Sequence, residues 1–417
     1  MLFLLYNGGK KMSNHWITNV RLEKGFKKDD NRITGTETEI VHLEIENEII
    51  KSISKEMPND SAVKYDAQNH LLLPSLREMH IHIDKTYYSG PWKACTPITN
   101  GIFTRLDEEK ELLPKLLPTA QERAENMIEM LIRNGHTHIR THCNVDPVIG
   151  LKNLEATMRA IENYKDSITY DIVAFPQHGL LRSDSVELVR EAMKNGATLV
   201  GGVDPATVDR HIERSLSTVF EIAAEHNKGI DLHLHDPGTL GSFTFSRLAD
   251  YTKEASMQGR VTISHGMALA DLEGPAFTSM LNELQESQID VTTTIPINRP
   301  TIPVVEIDRA GIEVSLGHDS ITDHWSPFGT GNTIQKLGVL AERFKYIDEF
   351  SLNQILKYAT GGITPLNQDG EQVWPRIGDT ASMILVNASC TAEAIARRAD
   401  IKAVFFKGQE IKNKLPQ

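Results

Sequence analysis

The sequence has 417 residues, of which 40% are hydrophobic and 24% charged, and these values are typical of a globular protein with more than one domain. A net charge of -12 argues against general affinity for the phosphate backbone of nucleic acid and for an anionic membrane surface. The three cysteines are widely spaced and form no CxxC pair, so neither a disulfide framework nor a thiolate zinc site is predicted.

No secretory signal is predicted at the start of the sequence. The apolar stretch at residues 2–6 is shorter than the roughly 7–15 residues of a secretory signal core. No window approaches the roughly 18 apolar residues of a membrane span. Translation from Met12 fits as well as translation from Met1, because the strand-like pattern begins near Met12. We therefore expect a cytoplasmic protein with no membrane partner.

Both ends of the chain are rich in predicted strands. Residues 13–70 alternate apolar and polar side chains, are punctuated by turn residues and show no long helical stripe. The stretch from about residue 376 returns to this pattern. Two β-rich ends around a different middle predict a small β-sandwich domain that combines residues 13–70 and 366–415.

The middle of the chain, residues 71–365, alternates eight short apolar runs with helical patterns. This alternation predicts a parallel sheet, either closed as an α/β (β/α)8 TIM barrel or open and doubly wound. No run is followed by a GxGxxG turn. Polar residues gather at the carboxyl ends of the runs, namely His80, His82, His142, Gln177, Asp204, His233, His235, Asp236, His265, Asn298, His318 and Asp319. A barrel brings such ends to one mouth, so the barrel is favoured.

A metal site is predicted at that mouth. His80 and His82 are two positions apart, so on a strand both imidazoles point to the same side and form a nitrogen pair suited to zinc or iron. The pair alone also fits two surface histidines. His233 closes the fifth run and Asp319 follows the eighth, and together the four side chains predict a metal site.

Four motifs resemble a known family. They are HIHIDK at 80–85, AFPQHG at 174–179, SHGMA at 264–268 and LGHDSITDHWSPFGTGN at 316–332. They resemble the amidohydrolase superfamily and, within it, the branch of bacterial cytosine deaminases and N-isopropylammelide isopropylamidohydrolases. The likeness covers about residues 71–364. It implies a hydrolase acting on carbon–nitrogen bonds other than peptide bonds, and a homo-oligomer.

The resemblance also implies the metal. Members of the branch hold one divalent ion, zinc or ferrous iron, and the matching ligands here are His80, His82, His233 and Asp319. Binuclear relatives carry a bridging lysine late in the third or fourth strand. The corresponding strand ends here read FPQHG and GGVDP, without lysine, so one metal is expected.

Further roles follow from the resemblance. Asp319 is expected to act as the base while a metal-bound hydroxide attacks an electron-poor carbon, and His265 to orient the water and stabilise the adduct. Gln177 is expected to bind the ring substrate, since an amide offers both a donor and an acceptor. Trp325 is expected at the substrate rim, with plain packing as the alternative.

Two departures from the cytosine deaminase pattern concern the substrate. The branch has Glu three residues after the fifth-strand His, and this chain has Asp236, whose reach is shorter by roughly 1.5 Å. Asp236 remains the predicted proton donor, with His235 as a substrate contact that could share its work. Ser320 replaces a second substrate-binding Asp and fits a larger or differently charged substrate than cytosine.

The predicted reaction is release of ammonia or an amine from a small nitrogen heterocycle. The alternative is hydrolysis of a cyclic or linear amide, in which Arg140 or Arg299 would accommodate the product carboxylate. A catalytically silent binding protein is a third reading, and the presence of Asp319 and His265 argues against it.

Overall fold

The computed structural model describes residues 14–30, 32–59 and 63–412. The alternative start at Met12 and the extreme ends of the predicted β domain lie outside these residues.

The strands of the described residues are, in chain order, β1 (His15–Asp29), β2 (Arg32–Glu46), β3 (Ile49–Ser54), β4 (Val63–Asp66), β5 (Leu71–Pro74), β6 (Leu76–Ile81), β7 (His136–Asn144), β8 (Thr169–Phe175), β9 (Leu199–Val203), β10 (Gly229–His233), β11 (Val261–Ser264), β12 (Ile289–Thr293), β13 (Val314–Leu316), β14 (Met383–Val386), β15 (Ile401–Phe406) and β16 (Gln409–Glu410).

The α-helices are α1 (Gly101–Leu116), α2 (Ala120–Arg133), α3 (Lys152–Glu162), α4 (Val186–Lys194), α5 (Ile212–His226), α6 (Gly238–Glu254), α7 (Gly274–Glu286), α8 (Val304–Arg309), α9 (Thr333–Phe344), α10 (Glu349–Gln354), α11 (Lys357–Thr360) and α12 (Thr391–Ala396). None of these helices is both long enough and apolar enough to cross a membrane.

The chain forms two compact units. One contains the described residues up to Leu76, residues 135–137 and residues 337–412. The other contains residues 77–134 and 138–336.

The first unit is built on one eight-stranded sheet in the order β16-β15-β14-β5-β1-β2-β3, with β4 paired to β1, and also contains helices α10 to α12. Strands from the two ends of the chain meet where β14 runs antiparallel to β5, with Met383 opposite Pro74. Alternate side chains such as Val20, Leu43 and Phe405 are buried together in its core. A β-rich unit built from both ends of the chain is therefore confirmed.

The second unit contains the predicted barrel. Strands β6 to β13 lie side by side in chain order, and at least one helix separates each strand from the next. The ring closes beyond β13, where the amide of Asp319 donates to the carbonyl of His80 at 2.6 Å and the amide of His82 donates to the carbonyl of Asp319 at 3.2 Å. This closure confirms the (β/α)8 TIM barrel.

Closing the ring requires a glycine. A Cβ added at Gly317 would lie 2.4 Å from the Cβ of His80 and 2.6 Å from its backbone nitrogen, closer than any side chain tolerates. The backbone of the last strand can therefore approach the first only without a side chain at Gly317.

Two segments at the start of the barrel take forms that the sequence pattern did not predict. The run 71–81 is divided after Pro74, at Ser75, which belongs to neither strand. As a result β5 pairs with β1 and β14, whereas β6 enters the barrel. Beyond β6, the connection to α2 contains the additional helix α1.

Candidate active site

Four side chains converge where the barrel strands end. His80 and His82 lie at the end of β6, His233 is the last residue of β10, and Asp319 follows β13. One ligand atom from each lies within 4.8 Å of all the others, and the three histidines are buried. The structure thus brings together all four predicted metal ligands.

The distances within this group fit one small cation. Nε2 of His82 lies 3.4 Å from Nε2 of His233. Oδ1 of Asp319 lies 3.2 Å from Nε2 of His82 and 3.5 Å from Nε2 of His80. Ligand atoms on a tetrahedral zinc, each about 2.0–2.1 Å from the ion, lie about 3.3 Å from one another. The group therefore has the spacing of a metal site.

The imidazoles present their lone pairs to this point. Nδ1 of His82 lies 3.0 Å from the carbonyl oxygen of His142, which can only accept, so Nδ1 carries the proton and Nε2 is free to bind a metal. Nε2 of His80 is buried and has no hydrogen-bond partner among the described residues. Burial lowers the pKa of His82 to about 4, which keeps the ring neutral as ligation requires.

The two carboxylate oxygens of Asp319 face different groups. Its Oδ1 points to His80 and His82, while its Oδ2 lies 3.9 Å from Nε2 of His265. Asp319 and His265 both have left-handed backbones, with φ of 62° and 71°. Such conformations are costly for residues other than glycine and gather at functional sites. The carboxylate and the imidazole therefore flank one point beside the metal ligands.

His235 and Asp236, the two candidate residues that follow β10, have different hydrogen-bond partners. Nδ1 of His235 lies 2.9 Å from Oδ2 of Asp204, and its ring centroid lies 4.3 Å from that of His265. The carboxylate of Asp236 instead accepts from the hydroxyl of Thr207 and, at 3.3 Å, from the amide of Thr207. Burial raises the pKa of Asp236, and the nearby carboxylate of Asp204 acts in the same direction.

Gln177 follows β8, and the oxygen of its side-chain amide is engaged in a hydrogen bond. Nζ of Lys85 donates to Oε1 of Gln177 at 2.8 Å. An ammonium can only donate, so the oxygen must face Lys85 and Nε2 is left without an acceptor among the described residues. The ring of Phe175, two residues earlier, stacks on His233 with centroids 4.0 Å apart.

Helix α1 contributes a buried carboxylate that the sequence did not reveal. Glu109 accepts hydrogen bonds at 2.9–3.1 Å from five side chains: Lys85, Asn144, His178, His324 and Trp325. Although burial acts to raise it, the pKa of Glu109 lies well below its usual value because of Lys85 and these donors. No motif marks Glu109, because its partners come from separate segments of the chain.

Three further residues that the sequence singled out, Trp325, Ser320 and Arg140, take different positions. Trp325 donates its indole N–H to Glu109, and Ser320 is half-buried directly after Asp319. Arg140 is held inside the barrel, where it pairs with Asp231 at 3.0 Å and with Asp171 at 3.3 Å.

Comparison with known proteins identifies the class. The amidohydrolase family model matches residues 64–411. The chain therefore belongs to the amidohydrolase family, as its motifs predicted, and is an enzyme acting on carbon–nitrogen bonds.

Two curated relatives cover most of the chain. The uncharacterized protein YahJ of Escherichia coli (strain K12) is 40% identical over 400 residues, which span 95% of this chain and 87% of that protein. N-isopropylammelide isopropyl amidohydrolase of Pseudomonas sp. (strain ADP) is 30% identical over 358 residues, which span 83% of this chain and 87% of that enzyme.

Two crystal structures share the fold over nearly the whole chain. N-isopropylammelide isopropylaminohydrolase of Burkholderia multivorans superposes with a TM-score of 0.83 at 26% identity, covering 96% of this chain and 99% of that one. A 5-methylcytosine deaminase of Klebsiella pneumoniae with bound 5-fluorocytosine superposes with a TM-score of 0.77 at 25% identity. The superposition covers 96% of this chain and 98% of that one.

Proposed function

We propose that this enzyme is a metal-dependent hydrolase that releases ammonia or an alkylamine from a small nitrogen heterocycle. The observation that carries the proposal is the convergence of His80, His82, His233 and Asp319, with their ligand atoms within 4.8 Å of one another. The donor set suits zinc or ferrous iron. When bound, such an ion supplies a Lewis acid that makes water nucleophilic near neutral pH.

Asp319 and His265 handle the attacking water. Oδ1 of Asp319 is directed at the ligand histidines, which leaves Oδ2 to take a proton from the water. Nε2 of His265 lies 3.9 Å from that oxygen and has no other partner among the described residues. The imidazole is therefore placed to orient the water toward the substrate carbon.

Gln177 selects one edge of the substrate. Its Oε1 is held by Lys85, so its Nε2 is the atom that donates to the ligand. The complementary group on the heterocycle is an acceptor, either a carbonyl oxygen or an unprotonated ring nitrogen. Ser320 leaves more space and no charge beside Asp319, which fits a substituted ring.

Proton delivery to the leaving amine is assigned to Asp236. Its carboxyl is buried, its pKa is raised, and Thr207 fixes its position. A carboxyl with a raised pKa retains its proton closer to neutral pH, as a general acid requires. His235, whose Nδ1 is held by Asp204 and whose ring lies beside that of His265, is assigned to contact the substrate.

Two observations favour amine release over ring opening. The relatives with named activities act on N-isopropylammelide or deaminate 5-methylcytosine. In addition, Arg140 pairs with Asp231 and Asp171, which leaves the exposed Arg299 as the one remaining candidate of the two for the carboxylate that ring opening creates.

The experiment is a product analysis with metal-stripped enzyme reloaded separately with zinc and with ferrous iron. The probes are cytosine, isocytosine, creatinine, pterin and N-isopropylammelide, and both ammonia and isopropylamine are measured. The Asp319→Ala variant serves as the blank. The exposed Asp166→Ala variant is the matched control that should retain full activity.

The product decides between the two reactions. Amine release with an intact ring, lost in Asp319→Ala and kept in Asp166→Ala, supports the proposal. A product heavier by one water, with no amine released, would establish ring-opening hydrolysis of a cyclic amide instead. Metal-loaded enzyme that forms neither product from any probe would contradict the proposed substrate class.

A further inference from the structure

A chain of polar side chains runs beneath the metal ligands inside the barrel. Asp231 lies two residues before His233 on β10, so both side chains point to the barrel interior at successive levels. Asp231 is fully buried. Its Oδ1 accepts from the hydroxyl of Ser264 at 2.6 Å, and its Oδ2 accepts from Nη1 of Arg140 at 3.0 Å.

The hydrogen bond from Ser264 to Asp231 determines which atom donates between Ser264 and His80. Oγ of Ser264 lies 2.8 Å from Nδ1 of His80. A serine hydroxyl has one proton, and that of Ser264 is given to Asp231, so toward His80 the oxygen can only accept. Nδ1 of His80 must then carry the proton. Its Nε2 consequently presents a lone pair to Asp319 and the other ligands.

We propose that Ser264 and Asp231 are positioning residues that fix the tautomer and the ring orientation of His80 for metal binding, with Arg140 holding Asp231 in place. This inference rests on the metal centre proposed above. Side chains that fix a ligand histidine commonly change metal affinity about 10–100-fold when they are removed.

The two histidines of the HxH pair are held in different ways. Nδ1 of His82 donates to a backbone carbonyl, that of His142, which no substitution removes. His80 depends instead on the side chain of Ser264. Therefore only the group that holds the ring of His80 can be removed by mutation.

The test measures zinc affinity of the full-length apo-enzyme by competition with a chromophoric chelator. The variants are Ser264→Ala, which removes the acceptor, and Asp231→Asn, which keeps the volume and removes the charge. Thr262→Val is the matched control, because Thr262 lies on the same strand and bonds Arg140 at 3.2 Å. Ser264→Ala is expected to weaken zinc binding about 10–100-fold, and Thr262→Val to leave it unchanged.

A second readout needs no substitution in the site. In zinc-loaded protein labelled with ¹⁵N-histidine, NMR is expected to show His80 with its proton on Nδ1, protected from exchange. Equal zinc affinity in Ser264→Ala and Thr262→Val, or a His80 proton on Nε2, would overturn the inference. Wild-type protein that binds neither zinc nor ferrous iron would overturn the metal centre itself, which is a distinguishable failure.

Discussion

The ammonium of Lys85 lies 3.1 Å from Oε1 of Glu109, and the two side chains are 1% and 0% exposed. Lys85 follows the HxH motif, whereas Glu109 belongs to helix α1, so the pair ties this helix to the start of the barrel. Lys85 in turn fixes the amide of Gln177. Removing one partner leaves a buried charge uncompensated, which is far more costly than removing both.

We therefore predict that Glu109→Gln lowers the free energy of unfolding by about 3–5 kcal/mol. The double variant Lys85→Met/Glu109→Gln should recover a substantial part of that loss, because no unpaired charge remains. Urea unfolding measures both. Glu111→Gln on the same helix, whose side chain is 83% exposed, is the control. Equal stabilities of Glu109→Gln and Glu111→Gln would show that the pair has no structural role.

Gly317 provides a steric test of barrel closure. The Cβ of Gly317→Ala would lie 2.4 Å from the Cβ of His80. Overpacking of this kind costs about 1–3 kcal/mol, and here it should also displace a metal ligand and weaken zinc binding. Gly35→Ala is the control, since its Cβ would meet nothing closer than 3.8 Å. Zinc affinity in Gly317→Ala equal to that of the wild type would contradict this account of the closure.

The proton donor can be separated from the substrate contact by kinetics. Asp236→Asn should lower kcat by about two orders of magnitude or more with little change in KM, because a general acid acts on the transition state. His235→Gln should chiefly raise KM. Steady-state kinetics on the substrate identified by amine release measures both. A lower kcat in His235→Gln together with a higher KM in Asp236→Asn would instead make His235 the proton donor and Asp236 the substrate contact.

Asp290 predicts a pH dependence of stability. Burial raises the pKa of Asp290 from 3.8 to about 6, and the neighbouring Glu313 acts in the same direction. Between these values the folded protein binds a proton at Asp290 that the unfolded chain has released, so the contribution of Asp290 to stability falls as the pH rises from about 4 to 6. The loss is at most about 3 kcal/mol.

Asp290→Asn should remove this contribution, so that its stability relative to the wild type increases from about pH 4 to 6 and exceeds that of the wild type above about pH 6. Thermal unfolding across the pH range measures the difference. The exposed Asp166→Asn variant should keep the slope of the wild type. An unchanged slope in Asp290→Asn would show that Asp290 does not titrate in this window.

The sequence predicted those parts of the fold and the site that follow from local patterns. Strand ends marked by polar residues predicted the barrel, and the i, i+2 spacing of His80 and His82 predicted their shared orientation. Glu109 and Asp231 were not predicted, because their roles depend on partners distant in sequence. The division near Pro74 was also missed, since an apolar run does not show which of two sheets its halves join.

The number of metal ions that the apo-enzyme binds tests the proposed metal site most directly. Equilibrium dialysis against zinc or ferrous iron, followed by elemental analysis, is expected to give one ion per chain. The His82→Ala variant is expected to bind none under the same conditions. Two ions per wild-type chain, none, or one ion retained in His82→Ala would contradict a single site built by His80, His82, His233 and Asp319.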